Sequence, residues 1–160
     1  MAPNGGLLAG LIREVDVSYL TGPDTAGLEI LNKEQALASL KAHEKEGLCH
    51  TVWTFITPFI GAICNCDRTD CLAMRATIGY GFPIMFRSEY VAEIDPPLCN
   101  GCRQCMQYCQ FGAISYSAST KKSRVDHRRC YGCGICRSVC ENKAIVLLDR
   151  KSSHVVATLW

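Results

Sequence analysis

Two runs of cysteine, Cys99-x2-Cys102-x2-Cys105-x3-Cys109 and Cys130-x2-Cys133-x2-Cys136-x3-Cys140, carry the sharpest chemical signal in the chain. Thiolates are soft ligands, and eight at this spacing suit metal or cluster ligation. A two-residue gap lets successive sulfurs wrap three corners of a cubane while the intervening backbone N–H groups turn toward its sulfides. Gly101 and Gly132 sit where the chain must approach the cluster closely and turn without a Cβ. If the stretch after the third cysteine is helical, Cys105 and Cys109 stand about 6 Å apart along the axis. That separation is awkward for one cubane and suits reaching toward a neighbouring one. Structural zinc usually takes well-separated cysteine pairs, not three in succession plus one.

A third group is Cys64-x-Cys66-x4-Cys71, with Cys49 and His50 upstream in GLCH. Twelve cysteines divide into three sets of four, which favours Cys49, Cys64, Cys66 and Cys71 as a third [4Fe–4S] site. His50 is a rival to Cys49, and a histidine ligand would tend to raise the potential, as in Rieske centres. A Cys3His zinc site, an iron–sulfur cluster with an open, catalytic iron position, and plain buried thiols are the other readings of this group. Asp67, Arg68 and Asp70 read as a solvated loop over it, and Trp53, Phe55 and Phe59 as core. His43 and His127 read as surface histidines, and His154 lies in a polar tail.

The composition narrows the setting. Twelve cysteines in 160 residues imply disulfides, metal or clusters. The N-terminus lacks an early positive charge and has only a short apolar run, Leu7 to Ile12, so it does not read as a secretory signal. No stretch of 18 apolar residues predicts a membrane span. A cytoplasmic, reducing location follows as the expectation, and there ligation outranks disulfides. The net charge of +2 argues against a mainly electrostatic nucleic-acid or membrane-surface binder. No P-loop, G-x-G-x-x-G or H-E-x-x-H points to nucleotide or hydrolytic chemistry.

The elements that must position the cysteines repeat. Residues 99–114 match residues 130–145 at a constant offset of 31, with seven of sixteen positions identical. Between the copies lies a polar connection, SYSASTKKSRVDHRR. Tyr90 to Ile94, Ala113 to Tyr116 and Ala144 to Leu148 read as short strands, so each copy is strand, cysteine loop, short helix, strand. The expected class is α+β: a pseudo-twofold C-terminal domain around two cubanes, with a small, irregular α/β cluster-binding module ahead of it. The boundaries are a leader at 1–30, the module at 31–89, the two-cluster domain at 90–150 and a tail at 151–160. In the module, Asn32 and Gln35 form a variant capping box for a helix over Lys33 to Glu46, ended by Gly47. Its apolar positions are Ala36, Leu37, Leu40 and Ala42. Val52 to Ile63 reads as buried extended segments broken at Pro58 and Gly61. Thr21-Gly22-Pro23-Asp24 reads as a turn.

Residues 90–150 resemble the bacterial-type two-cluster ferredoxins. In that family the fourth cysteine of each run serves the other cluster. The resemblance implies cluster I at Cys99, Cys102, Cys105 and Cys140, and cluster II at Cys130, Cys133, Cys136 and Cys109. The usual proline after each fourth cysteine is missing: Gln110 and Glu141 stand there. The layout GL-x-H, ICNC and a further cysteine is similar to an N-terminal module beside ferredoxin domains in iron–sulfur proteins of anaerobes. Together these imply an electron-transfer subunit of a larger oxidoreductase, whose partner holds a flavin, a molybdenum or tungsten cofactor, or another redox site. No nucleic acid and no membrane insertion are expected.

Charge is unevenly spread: residues 1–98 carry a net −5 and residues 99–160 a net +7. Each oxidised cubane with four thiolates contributes about −2. Arg103, Arg128, Arg129 and Arg137, beside the cysteines, read as compensation for that charge. Lys121, Lys122, Arg124, Arg128 and Arg129 read equally as a docking patch for an acidic partner or as a solvated loop.

Overall fold

The computed structural model describes residues 29–56 and 59–159. The expected leader, up to residue 28, and its Thr21-Gly22-Pro23-Asp24 turn lie outside them. Two units emerge. One holds the described residues through Glu46 together with His50–Asn65, and the other holds Gly47–Cys49 and the described chain from Cys66 onward. Cys49, Cys66 and Cys71 therefore belong to the same unit as the two cysteine runs.

In the first unit, helix α1 spans Lys33–Lys45. Its start is chemical: Asn32 Oδ1 accepts the Gln35 N–H at 2.8 Å, and Gln35 Oε1 accepts the Asn32 N–H at 2.9 Å. This reciprocal box satisfies two otherwise unpaired donors. Of its expected apolar stripe only Ala36 is buried, so capping defines this helix more than packing does. Strands β1 (Cys49–Ile56) and β2 (Phe59–Cys66) pair in a two-stranded sheet. The β-branched and aromatic residues thus adopt the extended form expected. The expected burial is not seen: Val52 and Ile60 are exposed and Trp53 is half-buried. A lone two-stranded sheet has two open faces and cannot cover its own apolar side chains. The Trp53 Nε1–H donates to Thr51 Oγ1 at 3.0 Å. The side chains of Phe55 and Phe59 lie outside the described residues.

In the second unit, helix α2 (Leu72–Gly79) follows the Cys66–Cys71 loop and buries Met74 and Thr77. The repeats come next: β3 (Tyr90–Ile94), α3 (Gln104–Tyr108) and β4 (Ile114–Ser117), then β5 (Lys122–Val125), α4 (Ile135–Ser138) and β6 (Ile145–Asp149). The outer strands pair antiparallel, from Tyr90↔Asp149 to Ile94↔Ile145, and the inner ones from Ile114↔Val125 to Ser117↔Lys122. The result is the α+β arrangement expected, with helices and short antiparallel strands.

Strand β5 was hidden in the polar connection. Only Ser123 of its four residues is fully buried, so no hydrophobic alternation marks it. The repeat offset does mark it, because adding 31 to Tyr90–Ile94 gives residues 121–125. The core holds Val91 and Ile135, with Ala113 and Ala144 at matching places in the two copies. Each large aliphatic buried there contributes about 1.5–3 kcal/mol. The segment after β6 stays on this core. It makes a 3-10 turn at Arg150–Ser152, then buries Val156 and packs Leu159 against the same cluster.

Candidate functional site

The two cysteine runs meet in a crossed arrangement. One cavity is lined by Cys99, Cys102, Cys105 and Cys140. A second is lined by Cys130, Cys133, Cys136 and Cys109. Each thus draws three sulfurs from one copy and the fourth from the other.

Local backbone chemistry aims these sulfurs. Gly101 and Gly132 have φ of +73° and +78°, the left-handed region that glycine enters at no steric cost. The close approach that requires glycine differs from the one expected. A Cβ on Gly101 would lie 2.3 Å from the Lys121 carbonyl oxygen, and one on Gly132 would lie 2.1 Å from that of Tyr90. The neighbour is the start of the other copy's strand, not the cavity. The fourth cysteines are held identically: the Ala113 N–H donates to Cys109 Sγ at 3.2 Å, and the Ala144 N–H to Cys140 Sγ at 3.3 Å. The repeated alanines place these donors. Cys130 Sγ accepts the Ala92 N–H at 3.5 Å and that of Gly132, and Cys133 accepts that of Ile135.

Burial alone would keep the thiols protonated. Desolvation is the largest influence on Cys105, Cys130 and Cys136 and pushes all three up. Around Cys105 the neighbouring thiols are Cys102, Cys99 and Cys140, which raise it further. Sulfurs so crowded and buried are stable as thiolates only around positive charge. Iron meets that need, because a coordinated thiol is deprotonated outright. The Ser123 hydroxyl is buried without a partner of ordinary geometry and faces the Cys105 sulfur. Among the described residues, no three His, Cys, Asp or Glu side chains converge as ligands of one ion must. The donor set, the cavities and the N–H···S bonds fit a multi-iron cluster in each cavity.

Comparison with known proteins agrees. Residues 98–152 match the model of a 4Fe-4S dicluster domain. This stretch is an iron–sulfur ferredoxin domain. Two groups of curated relatives are similar to part of this chain. Indolepyruvate oxidoreductase subunit IorA of Pyrococcus horikoshii is 38% identical over 50 residues, 31% of this chain and 8% of that protein. The uncharacterized ferredoxin-like protein YdhY of Escherichia coli K12 is 41% identical over 65 residues, 39% of this chain and 29% of that protein. IorA of Thermococcus kodakarensis is 43% identical over 42 residues, 26% of this chain and 6% of that protein. The chain therefore spans less than a third of the relatives it matches. Among the described residues no helix is long and apolar enough to cross a membrane.

The third group of cysteines is only partly assembled in the ferredoxin domain's unit. Cys49 is buried and packs with Cys66, Cys71, Met74 and Phe111, next to Tyr131 and Cys133. Its S–H donates to the Cys133 sulfur; that bond raises Cys49 and lowers Cys133, and Cys66 and Cys71 raise Cys49 further. Phe111 stacks on Tyr131 with centroids 4.2 Å apart, and the Arg87 guanidinium sits 4.6 Å over the Tyr131 ring. Cys64 lies on β2 in the other unit, two residues from Cys66, and so on the same strand face. His50 takes another direction: its Nδ1 is 2.7 Å from Asn65 Oδ1.

Two residues of this region escape a reading of motifs. Asp67 is a loop organiser, not a solvated bystander. Its Oδ1 accepts the Thr69 N–H at 2.7 Å, the Thr69 hydroxyl at 2.6 Å and the Asp70 N–H at 2.9 Å. These bonds, the Thr69 hydroxyl first, hold its carboxyl below the ordinary aspartate value. Gln110 stands in the missing proline's place and uses both ends of its amide. Its Oε1 accepts the Arg68 N–H at 3.1 Å, and its Nε2–H donates to the Gly47 carbonyl at 3.0 Å. The departure from the ferredoxin pattern was the signal. Glu141, its counterpart, is exposed.

The basic residues divide as well. Arg103, Arg128, Arg129 and Arg137 are all exposed. Arg103 lies 4.0 Å over the Tyr116 ring, and Lys122 Nζ donates to the Cys99 carbonyl. The expected surface histidine His127 is half-buried, with Nε2 2.6 Å from Glu93 Oε2.

Proposed function

We propose that this chain is the electron-transfer subunit of a larger oxidoreductase, relaying single electrons through two ferredoxin-type [4Fe–4S] clusters and a third. The observation that carries the reading is the crossed lining of the two cavities. Cys99, Cys102, Cys105 and Cys140 would hold cluster I, and Cys130, Cys133, Cys136 and Cys109 cluster II. Cys49, Cys64, Cys66 and Cys71 would hold cluster III. In favour of Cys49 over His50 is its packing with Cys66 and Cys71, while His50 engages Asn65.

When bound, such clusters supply one-electron chemistry over a wide range of potentials. The chain's own residues fix and tune that chemistry. Backbone N–H groups of Ala92, Ala113 and Ala144 donate to ligand sulfurs, which favours the more reduced, more negative state. Buried aliphatics around the sulfurs exclude water. Cys105 of the first set acts electrostatically on Cys136 of the second, and Cys133 of the second is hydrogen-bonded to Cys49. This supports cluster II as the middle member of a linear relay. The small share of each relative that the chain matches supports a role as one module among several, and IorA is itself named as an oxidoreductase subunit.

Anaerobic iron, sulfide and zinc analysis tests the reading. About 12 iron per chain is expected, falling to about 8 in Cys49→Ala, which has no ligand atom, and unchanged in His50→Ala. About 8 iron with one zinc would remove the third cluster and leave the ferredoxin pair.

A further inference from the structure

Arg150 is the most deeply buried charge in the described chain, with 0% of its surface exposed. Its guanidinium forks onto three backbone carbonyls. Nε donates to Ser88 at 2.8 Å, and Nη2 donates to Tyr90 at 2.8 Å and to Cys130 at 2.9 Å. These acceptors are neutral, Nη1 is buried with no partner, and among the described residues no carboxylate pairs with it. A guanidinium does not shed its proton, so a buried one needs an anion nearby. The Cys130 sulfur favours the charged form of Arg150 against the cost of burial when it is ionised, as it would be as a cluster ligand. Position 119, its equivalent in the first copy, is an exposed serine bonded to Ser117.

We propose that Arg150 is the fixed counter-charge of the cluster held by Cys109, Cys130, Cys133 and Cys136, and that it raises that cluster's potential relative to its twin. The proposal rests on the ligand assignment above. Reduction adds a negative charge to the cluster, and a fixed buried cation stabilises the reduced state more than the oxidised one. At the repeat-related place the first copy has no cation. Its Cys99 carbonyl, the equivalent of that of Cys130, accepts instead from the half-buried Lys122 Nζ. That charge is screened by water more than that of the fully buried Arg150, so one duplicated scaffold yields two unequal sites. The exposed arginines beside the cysteines are screened by water and contribute less.

The test uses the full reconstituted chain carrying Arg150→Gln or Arg150→Lys. Iron content and EPR-monitored redox titration are the readouts. The relevant signal is the one that Cys130→Ser alters. Arg150→Gln is expected to move that cluster's midpoint to lower potential, leave the other in place and retain iron. Arg150→Lys, which keeps the charge but not the fork, is expected to hold the midpoint near the parent value. An unchanged midpoint in Arg150→Gln, or an equal shift of both clusters, overturns the proposal. If Arg150→Gln fails to hold iron, Arg150→Lys decides: near-parent iron and midpoint support the counter-charge, and loss of iron in both variants leaves a carbonyl clamp and overturns it. A parent protein holding well under about 8 iron would instead sink the ligand assignment.

Discussion

The Gln110 carboxamide donates to the Gly47 carbonyl at 3.0 Å, across 63 residues of sequence. Through its other end the same side chain accepts the Arg68 N–H. One residue next to Cys109 thereby anchors the backbone leading into Cys49 and the loop between Cys66 and Cys71. Gln110→Ala is expected to remove two such bonds, each contributing about 0.5–1.5 kcal/mol. If the third cysteine group holds the cluster proposed above, chelator challenge of the variant should release that cluster faster while the ferredoxin pair stays bound. Equal release from all sites would show that the amide supports the whole unit.

The crossed lining of the cavities predicts which cysteine changes share a spectrum. Cys140→Ser should alter the same EPR signal as Cys102→Ser, and Cys109→Ser the same signal as Cys133→Ser. Serine at a ligand position lowers the potential or loses an iron, so each effect is visible. If Cys109→Ser instead pairs with Cys102→Ser, each run holds its own cluster.

Gly132 faces the Tyr90 carbonyl where a Cβ would stand 2.1 Å away, and the Ser88 hydroxyl is 2.2 Å from the same point. Backbone cannot yield there as a flexible side chain would. Gly132→Ala combines that clash with the left-handed cost of about 1–2 kcal/mol. Denaturant unfolding of the variant should show a loss of about 2 kcal/mol or more, and iron incorporation should fall with it.

Asp67 accepts three hydrogen bonds within its own loop. Asp67→Ala leaves those donors to water and should loosen the Cys66–Cys71 loop by about 1–2 kcal/mol. Asp67→Asn keeps one acceptor oxygen and should recover part of the loss. Amide hydrogen exchange at Thr69 and Asp70 measures this directly, and unchanged protection in Asp67→Ala would remove Asp67's organising role.

What the sequence made legible is what is local or repeated. The Asn32–Gln35 box lies within one turn, and Tyr90–Ile94 appears as a strand at the expected bounds. The cysteine spacing is rigid because the ligand geometry is. Strand β5 needed the repeat register, since Lys122–Val125 is mostly polar and, among the described residues, pairs only with β4. Gln110 and Arg150 were out of reach for another reason: their partners lie 42 and 63 residues away for one, and between 20 and 62 for the other. A side chain that works across such distances leaves no periodic trace. The basic residues beside the cysteines drew attention by adjacency, whereas the buried one is Arg150, beyond the last strand.

Pairing of β3 with β6 joins the first strand of the first copy to the last strand of the second. The two repeated copies thus begin and end on neighbouring strands, about 4.8 Å apart. A body whose two ends share an edge can be spliced into a host polypeptide without forcing the flanking segments apart. The ferredoxin domain is thus built as a cassette, which a longer polypeptide could hold with no change to its interior.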